Sequence, residues 1–197
     1  MLAAFGGPEG ALAASRPALS RHVGESVAVA IKQGTADESI AAVGAWLEDP
    51  ANHVVTLADP AYPGSLLQIP DPPALLYVKG RVELLSCPSL AVVGSRHATA
   101  QGTINAETFA RTFADAGLTV VSGLALGIDA AAHRGGLAGS ASSVAIMGTG
   151  ADIVYPARNR ALAHERAARG ALVSEFPLGT RPLAGNFPRR NRLISGL

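Results

Sequence analysis

The chain has 197 residues, 48% hydrophobic, 16% charged and 5% aromatic, a balance that excludes a disordered chain and leaves room for one α/β core with a small appendage. A single cysteine, Cys87, excludes an intrachain disulfide framework and a multi-thiolate metal site, and no apolar run reaches the roughly 18 residues of a membrane span. The formal net charge of +1 conceals a division: residues 1–152 hold 8 Lys+Arg against 13 Asp+Glu, whereas residues 153–197 hold 8 Arg against Glu165 and Glu175. The C-terminal quarter is therefore basic. Because its cations are all arginines, it favours planar, bidentate contacts with phosphate or carboxylate.

Residues 1–57 carry helical patches with frequent breakers and no strand–Gly–helix rhythm, so they predict a small helical N-terminal region. They begin without a basic leader followed by an apolar block, so a cytoplasmic location is expected. Residues 59–80, "DPAYPGSLLQIPDPPALLYVKG", contain five prolines and predict an extended connector, with "ALLYVKG" as an edge strand. From residue 90 a single rhythm repeats: "LAVVGS", "LTVVSG", "SVAIMG" and "ALVSEF", with starts 28, 25 and 28 residues apart. Apolar runs without alternation, separated by Ala-rich stretches of helical spacing, predict parallel strands buried on both faces and linked by helices. The expected fold is an α/β, Rossmann-like open parallel sheet over residues 58–197. Between the strands, residues 103–118 predict a helix with Ile104, Phe109, Phe113 and Ala116 on its inner face and Gly117 as its stop. The chain ends where a basic loop, "NFPRRNR", turns into an apolar segment, so the sheet is expected to be incomplete.

Ligands of open parallel sheets sit beyond the carboxyl ends of the strands. Four loops fall there: "GSRHATAQG" (94–102), "SGLALGID" (122–129), "GTGADIVYP" (148–156) and "SEFPLG" (174–179). Their glycines, serines and threonines let main-chain amides approach an anion. The dinucleotide fingerprint G-x-G-x-x-G is missing from all four, and no G-x-x-x-x-G-K-[ST] occurs anywhere. Arg96 stands at a strand mouth, where a guanidinium meets either a phosphate or a loop carboxylate. Asp129 and His133, four residues apart on one helix, suggest a hydrolytic triad with Ser122, but Ser122 lies in no G-x-S-x-G elbow. The alternative is a cap made by Asp129 with His133 completing a polar network. His97, His164 and Glu175 have no metal-ligand spacing, so no metal and no cofactor are expected. In "NFPRRNRLISGL" (186–197), Phe187 stands beside Arg189, Arg190 and Arg192, with Asn186 and Asn191 for hydrogen bonds. That mixture suits a single-strand binder, where bases stack on the ring and arginines follow the backbone. The other reading is a core Phe187 with solvated arginines.

Five stretches, "YPGSLLQIPDPPALLYVKG", "LAVVGSRHATAQG", "VVSGLALGIDAAAHRGGL", "GTGADIVYPARNRAL" and "LVSEFPLGTRPLAGNFPRRNRLISGL", together resemble the DNA-processing protein DprA (Smf) family over residues 62–197. The resemblance implies a protein, not an enzyme, that binds single-stranded DNA without consuming nucleotide. It implies protection of incoming strands in natural transformation, help in loading the recombinase RecA, and action as a homodimer. Carried onto this chain, Gly94, Ser95 and Arg96 of "GSR" would meet phosphate. Ser122 and Gly123 would add hydroxyl or main-chain contacts, and Phe187, Arg189, Arg190 and Asn191 would form the strand pocket. Members of the family continue past "RNRLISGL" into further strands and precede this chain with a fuller helical domain, so a truncated form with legible recognition loops is expected. The competing class is a nucleotide hydrolase or phosphoribohydrolase on a related fold using Asp129 or Glu175. A remnant without activity is the third reading.

Overall fold

The computed structural model describes residues 1–34 and 37–197, which divide into two compact units, Met1–Ala45 and Trp46–Leu197. In the first unit five helices follow one another: α1 (Leu2–Phe5), α2 (Pro8–Ala13), α3 (Arg16–Ser20), α4 (Glu25–Gln33) and α5 (Asp37–Trp46), whose last residue belongs to the second unit. Prolines in the first turn of α2 and α3 use their fixed φ where no amide partner is needed, and the Ser15 hydroxyl caps α3 by accepting from the Ala18 amide. The core of this unit is small: Ala11, Leu19 and Ala28, with Phe5, Val23 and Ile31 packed around them.

The second unit is built on one six-stranded sheet, β1 (Asn52–Thr56), β2 (Leu75–Gly80), β3 (Ser89–Ala91), β4 (Thr119–Ser122), β5 (Ser143–Ile146) and β6 (Ala171–Ser174), in the order β1-β2-β6-β5-β4-β3. Strands β3 to β6 are mutually parallel, as the Val-rich runs predict. β2 runs antiparallel to both β1 and β6. Two expectations change here. "ALLYVKG" is an interior strand rather than an edge, and residues 52–56, assigned by sequence to the helical region, form the edge strand beside it. All five prolines of the connector precede Leu75, so the ladder of β2 keeps every amide donor.

The parallel strands are buried on both faces. Val121, Val144, Ile146 and Val173 point to one side, where they meet Leu66, Leu76, Leu193 and Ile194. Ala145, Met147 and Leu172 point to the other, against Leu124 and Ala163, with Val120 beside Ala110, Ala114 and Ala132. Four helices cover these faces: α6 (Ala100–Asp115), α7 (Ile128–Ala138), α8 (Arg160–Arg169) and α9 (Asn186–Gly196).

The inner face of α6 differs from the predicted one. Ile104 and Phe109 are 58% and 59% exposed, and the buried face is Ala106, Ala110 and Ala114. The reason lies on α7, whose Gly135 has no room for a Cβ: one placed there would stand 2.9 Å from the Ala110 Cβ and from the Arg111 amide. Close approach of two backbones selects small residues over large apolar ones. The C-terminal segment also differs, because "NFPRRNRLISG" is a helix throughout. It starts with Pro188 in its first turn and buries Arg190, Leu193 and Ile194.

Candidate nucleic-acid interface

The loops that follow β3, β4, β5 and β6 converge at the carboxyl end of the sheet. The Ile128 amide joins the first two by donating to the Ser95 carbonyl at 3.1 Å, and within the first loop the Ser95 hydroxyl accepts from the His97 amide at 3.0 Å. Gly94 leaves space for the Ile128 side chain, which a Cβ would approach to 2.7 Å. Gly127, at φ +76°, faces the carbonyls of Ser95 and Arg96. Loops three and four are joined by Asp152, whose carboxylate oxygens each accept from the Gly179 amide at 3.0 Å.

Beneath these loops lies a buried charged pair. Arg190 is only 4% exposed, and its guanidinium donates to the Gly123 carbonyl at 2.6 Å and to the Ile146 carbonyl, tying the ends of β4 and β5 to α9. A Cβ on Gly123 would stand 2.7 Å from both Arg190 Nη2 and Asp129 Oδ2, so the glycine makes room for the pair. Burial holds the Asp129 carboxyl above its usual range, opposed by the Ala125 amide that it accepts, by the Arg190 charge and by the amides of Gly123 and Gly94. The folded chain therefore keeps the Asp129 proton to higher pH than the unfolded chain does. The contribution of this group is fully present below the ordinary value of 3.8 and is lost as pH rises through the raised value. Accordingly, the stability of the parent chain relative to Asp129→Asn should fall as pH is raised from below 3.8 toward neutrality, measured by urea unfolding at each pH. A relative stability that climbs over that range would mean that the carboxyl is depressed instead.

The proposed triad does not assemble. The Ser122 side chain is enclosed, its hydroxyl donating to the Val92 carbonyl at 2.6 Å. His133 places Nδ1 2.7 Å from the Ser143 hydroxyl and accepts from the Leu124 amide through Nε2 at 3.3 Å. His133 is thus fully buried and built into a hydrogen-bonded network with Ser143 and the Leu124 amide, and Ser143 donates on to the Val120 carbonyl. Asp129 does not cap α7, whose N-cap is Gly127 without a side-chain bond; its carboxylate instead accepts from the Ala125 amide at 3.4 Å and so orients the loop. Among the described residues no group of three or more His, Cys, Asp or Glu is placed to hold a metal, and no helix is long and apolar enough to cross a membrane.

The accessible part of the site is aromatic and cationic. The Arg96 guanidinium lies over the Phe187 ring at 6.0 Å, and Tyr155 meets the same ring at 5.6 Å between centroids. Together with Gly123, Leu126 and Arg190 they line a pocket of about 90 Å³. Gly148 is pressed against Phe187, since a Cβ there would reach the ring at 2.7 Å. Of the residues expected from sequence, Arg96, Gly123, Phe187 and Arg190 line this pocket, Gly94, Ser95, Arg189 and Asn191 are exposed outside it, and Ser122 is enclosed in the core. Arg189 is half committed: it lies 3.4 Å from the buried carboxylate of Glu175 and 5.9 Å from the Phe176 ring. Arg192 grips the same carboxylate with two bonds, at 2.7 and 2.6 Å.

Sequence reasoning missed four residues. Tyr155 went unread because its loop was searched for glycines. Arg158 and Arg160 were counted only in the basic C-terminal quarter, yet Asn159 between them donates to the Leu124 and Ala125 carbonyls at 2.8 and 3.2 Å and holds this segment against the β4 loop. Arg181 lies in the loop after β6. Away from these loops Arg81 pairs with Glu83, Arg111 with Asp115, Arg134 with Glu107 and Arg169 with Glu165. Arg96, Arg158, Arg160 and Arg181 are exposed and have no carboxylate partner among the described residues.

A parallel sheet whose strand ends carry a cluster of this kind is a Rossmann-like α/β binding fold. The family model "DNA recombination-mediator protein A" matches residues 53–197, and the chain belongs to that family. It is similar to Protein Smf of Escherichia coli, 45% identical over 153 residues, which cover 77% of this chain and 41% of that protein. The DprA structure from Streptococcus pneumoniae superposes with a TM-score of 0.78 at 33% identity, covering 96% of this chain and 62% of that one. A second structure, of DNA processing protein A from Helicobacter pylori and concerned with its single-stranded DNA binding mode, gives a TM-score of 0.65 at 31% identity, covering 73% and 65% of the two chains. The chain spans half or less of the length of the curated relatives it matches, between 37% and 50% for three of them.

Proposed function

We propose that the loop face of the sheet binds single-stranded DNA without regard to sequence. The observation that carries this reading is the Arg96 guanidinium over the half-buried Phe187 ring, beside loops where four arginines lack carboxylate partners among the described residues. Any base can stack on a flat ring, and a guanidinium without a carboxylate partner can donate to a phosphate. Gly94, Ser95, Arg189 and Asn191 complete the contact surface, while Ser122, Gly123 and Arg190 shape it from below. The single-strand binding mode named for the Helicobacter pylori protein supports the same reading. Protection of incoming strands, assistance to RecA, homodimer formation and action in the cytoplasm during natural transformation are proposed from family membership alone.

Fluorescence anisotropy of a labelled oligo(dT) across a salt series tests it. Affinity should fall with a slope of about −0.7 per phosphate engaged. Arg96→Ala should weaken binding and lower the slope by about 0.7, and Arg158→Ala with Arg160→Ala by about 1.4. Phe187→Ala should weaken binding with the slope retained. Salt-insensitive binding, or binding that ignores Arg96→Ala and Phe187→Ala in a folded chain, would overturn the reading.

A further inference from the structure

We propose that Tyr155 is a second base-stacking surface, so that the site holds two neighbouring bases of one strand, one on Phe187 and one on Tyr155. The inference rests on the single-strand reading above and extends it to the number of bases the pocket engages.

The three tyrosines are used in different ways. Tyr62 is buried and donates its hydroxyl to the Pro73 carbonyl at 2.7 Å. Tyr77 is buried with its ring edge-on to Trp46 at 5.9 Å. Tyr155 is 49% exposed, and its hydroxyl makes no hydrogen bond among the described residues. Neither burial nor a polar partner accounts for a ring at this position.

Its geometry suits a base. The planes of Tyr155 and Phe187 are inclined by 41°, so the rings do not cover each other's faces as a parallel stack would. Phe187 is the inner ring, backed by Gly148 and overlain by Arg96. Tyr155 is the outer ring. Its main chain is pinned from both sides: the Thr149 hydroxyl donates to the Ile153 carbonyl, and the Asn159 amide donates to the Pro156 carbonyl at 3.0 Å. The Asn159 side chain adds its two bonds to the β4 loop. A main chain held in place before the ligand arrives loses little freedom on binding. Successive aromatic platforms are how non-specific single-strand binders engage successive bases. The other strongly exposed ring, Phe109, lies nearly parallel to Phe113 on its own helix, and the adjacent Arg111 is paired with Asp115, so it offers no such site.

The test compares Tyr155→Ala, Tyr155→Phe and Tyr155→Leu with Arg96→Ala and Phe187→Ala, each checked for an unchanged urea midpoint. Two ligands are used: oligo(dT), and the same backbone carrying abasic sites throughout. On oligo(dT), Tyr155→Ala and Tyr155→Leu should weaken binding by about 5- to 100-fold, whereas Tyr155→Phe should stay within about twofold of the parent. On the abasic strand all three Tyr155 variants should bind like the parent, since no base remains to stack. The proposal falls if Tyr155→Leu binds oligo(dT) as the parent does while Phe187→Ala and Arg96→Ala do not. It falls equally if the loss caused by Tyr155→Leu is the same on the abasic strand. If none of the five changes weakens binding, the single-strand reading fails and takes this one with it.

Discussion

Replacing Arg190 with alanine is expected to lower the unfolding free energy by about 3–5 kcal/mol, read as a fall in the urea midpoint. The side chain is enclosed, so its loss opens a void where α9 meets the sheet, leaves the carbonyls of Gly123 and Ile146 without their donor, and strips the Asp129 carboxyl of its facing cation. Burial pushes the Arg190 pKa down and Asp129 pushes it back up, the balance expected of a charge kept inside the fold by its partners. A double variant, Arg190→Met with Asp129→Asn, should recover part of the loss because both buried charges leave together. An unchanged midpoint for Arg190→Ala would refute the structural role. DNA binding must be read beside this result. On the proposed reading, Arg190→Ala should weaken binding by loosening the floor of the site, whereas Arg96→Ala should remove a contact from a chain of normal stability.

Gly127→Ala is the second large effect. At φ +76° a side chain costs about 1–2 kcal/mol on conformation alone. Here the added Cβ would also stand 2.8 Å from the Arg96 carbonyl oxygen and nearer still to that of Ser95. Both obstacles are main chain, so no rotamer change relieves them and the two loops must part. The expected total is about 2–4 kcal/mol, with a loss of oligo(dT) affinity because Arg96 moves away from Phe187. Gly179→Ala is the control: it has φ +78° but nothing within 4 Å of the new Cβ, so only the conformational cost should appear. Equal midpoints for the two variants would show that crowding at Gly127 adds nothing.

The two glycines of "SGLALGID" show what the sequence could and could not reveal. Their presence at a strand-to-helix turn marks a close approach, and the sequence reading placed a phosphate there. The structure fills both spaces with the protein's own groups, the Asp129–Arg190 pair at Gly123 and two carbonyls at Gly127. Spacing reports that room is needed; it does not report for what. Parallel strands were legible because burial on both faces writes continuous Val and Ile runs. β1 and β2 were harder to place because a proline-rich stretch stands between them and antiparallel pairing leaves no βαβ interval. The inner face of α6 was misread because hydrophobicity favours Ile104 and Phe109, whereas contact with Gly135 admits only alanines. Arg96 and Phe187, far apart in sequence, lie together in the structure, but the burial of Arg190 was not legible, since an arginine in a basic run looks like surface until its carbonyl partners are seen.

Glu175 alters the arithmetic of the basic C-terminal quarter. Buried between Arg189 and Arg192, it cancels part of their charge, so the positive field over the loop face comes chiefly from Arg96, Arg158, Arg160 and Arg181. Peripheral charges of this kind act during diffusional approach, and central desolvated contacts act after docking. On the proposed reading the rim therefore governs how quickly a strand is captured, and the two rings govern how long it stays.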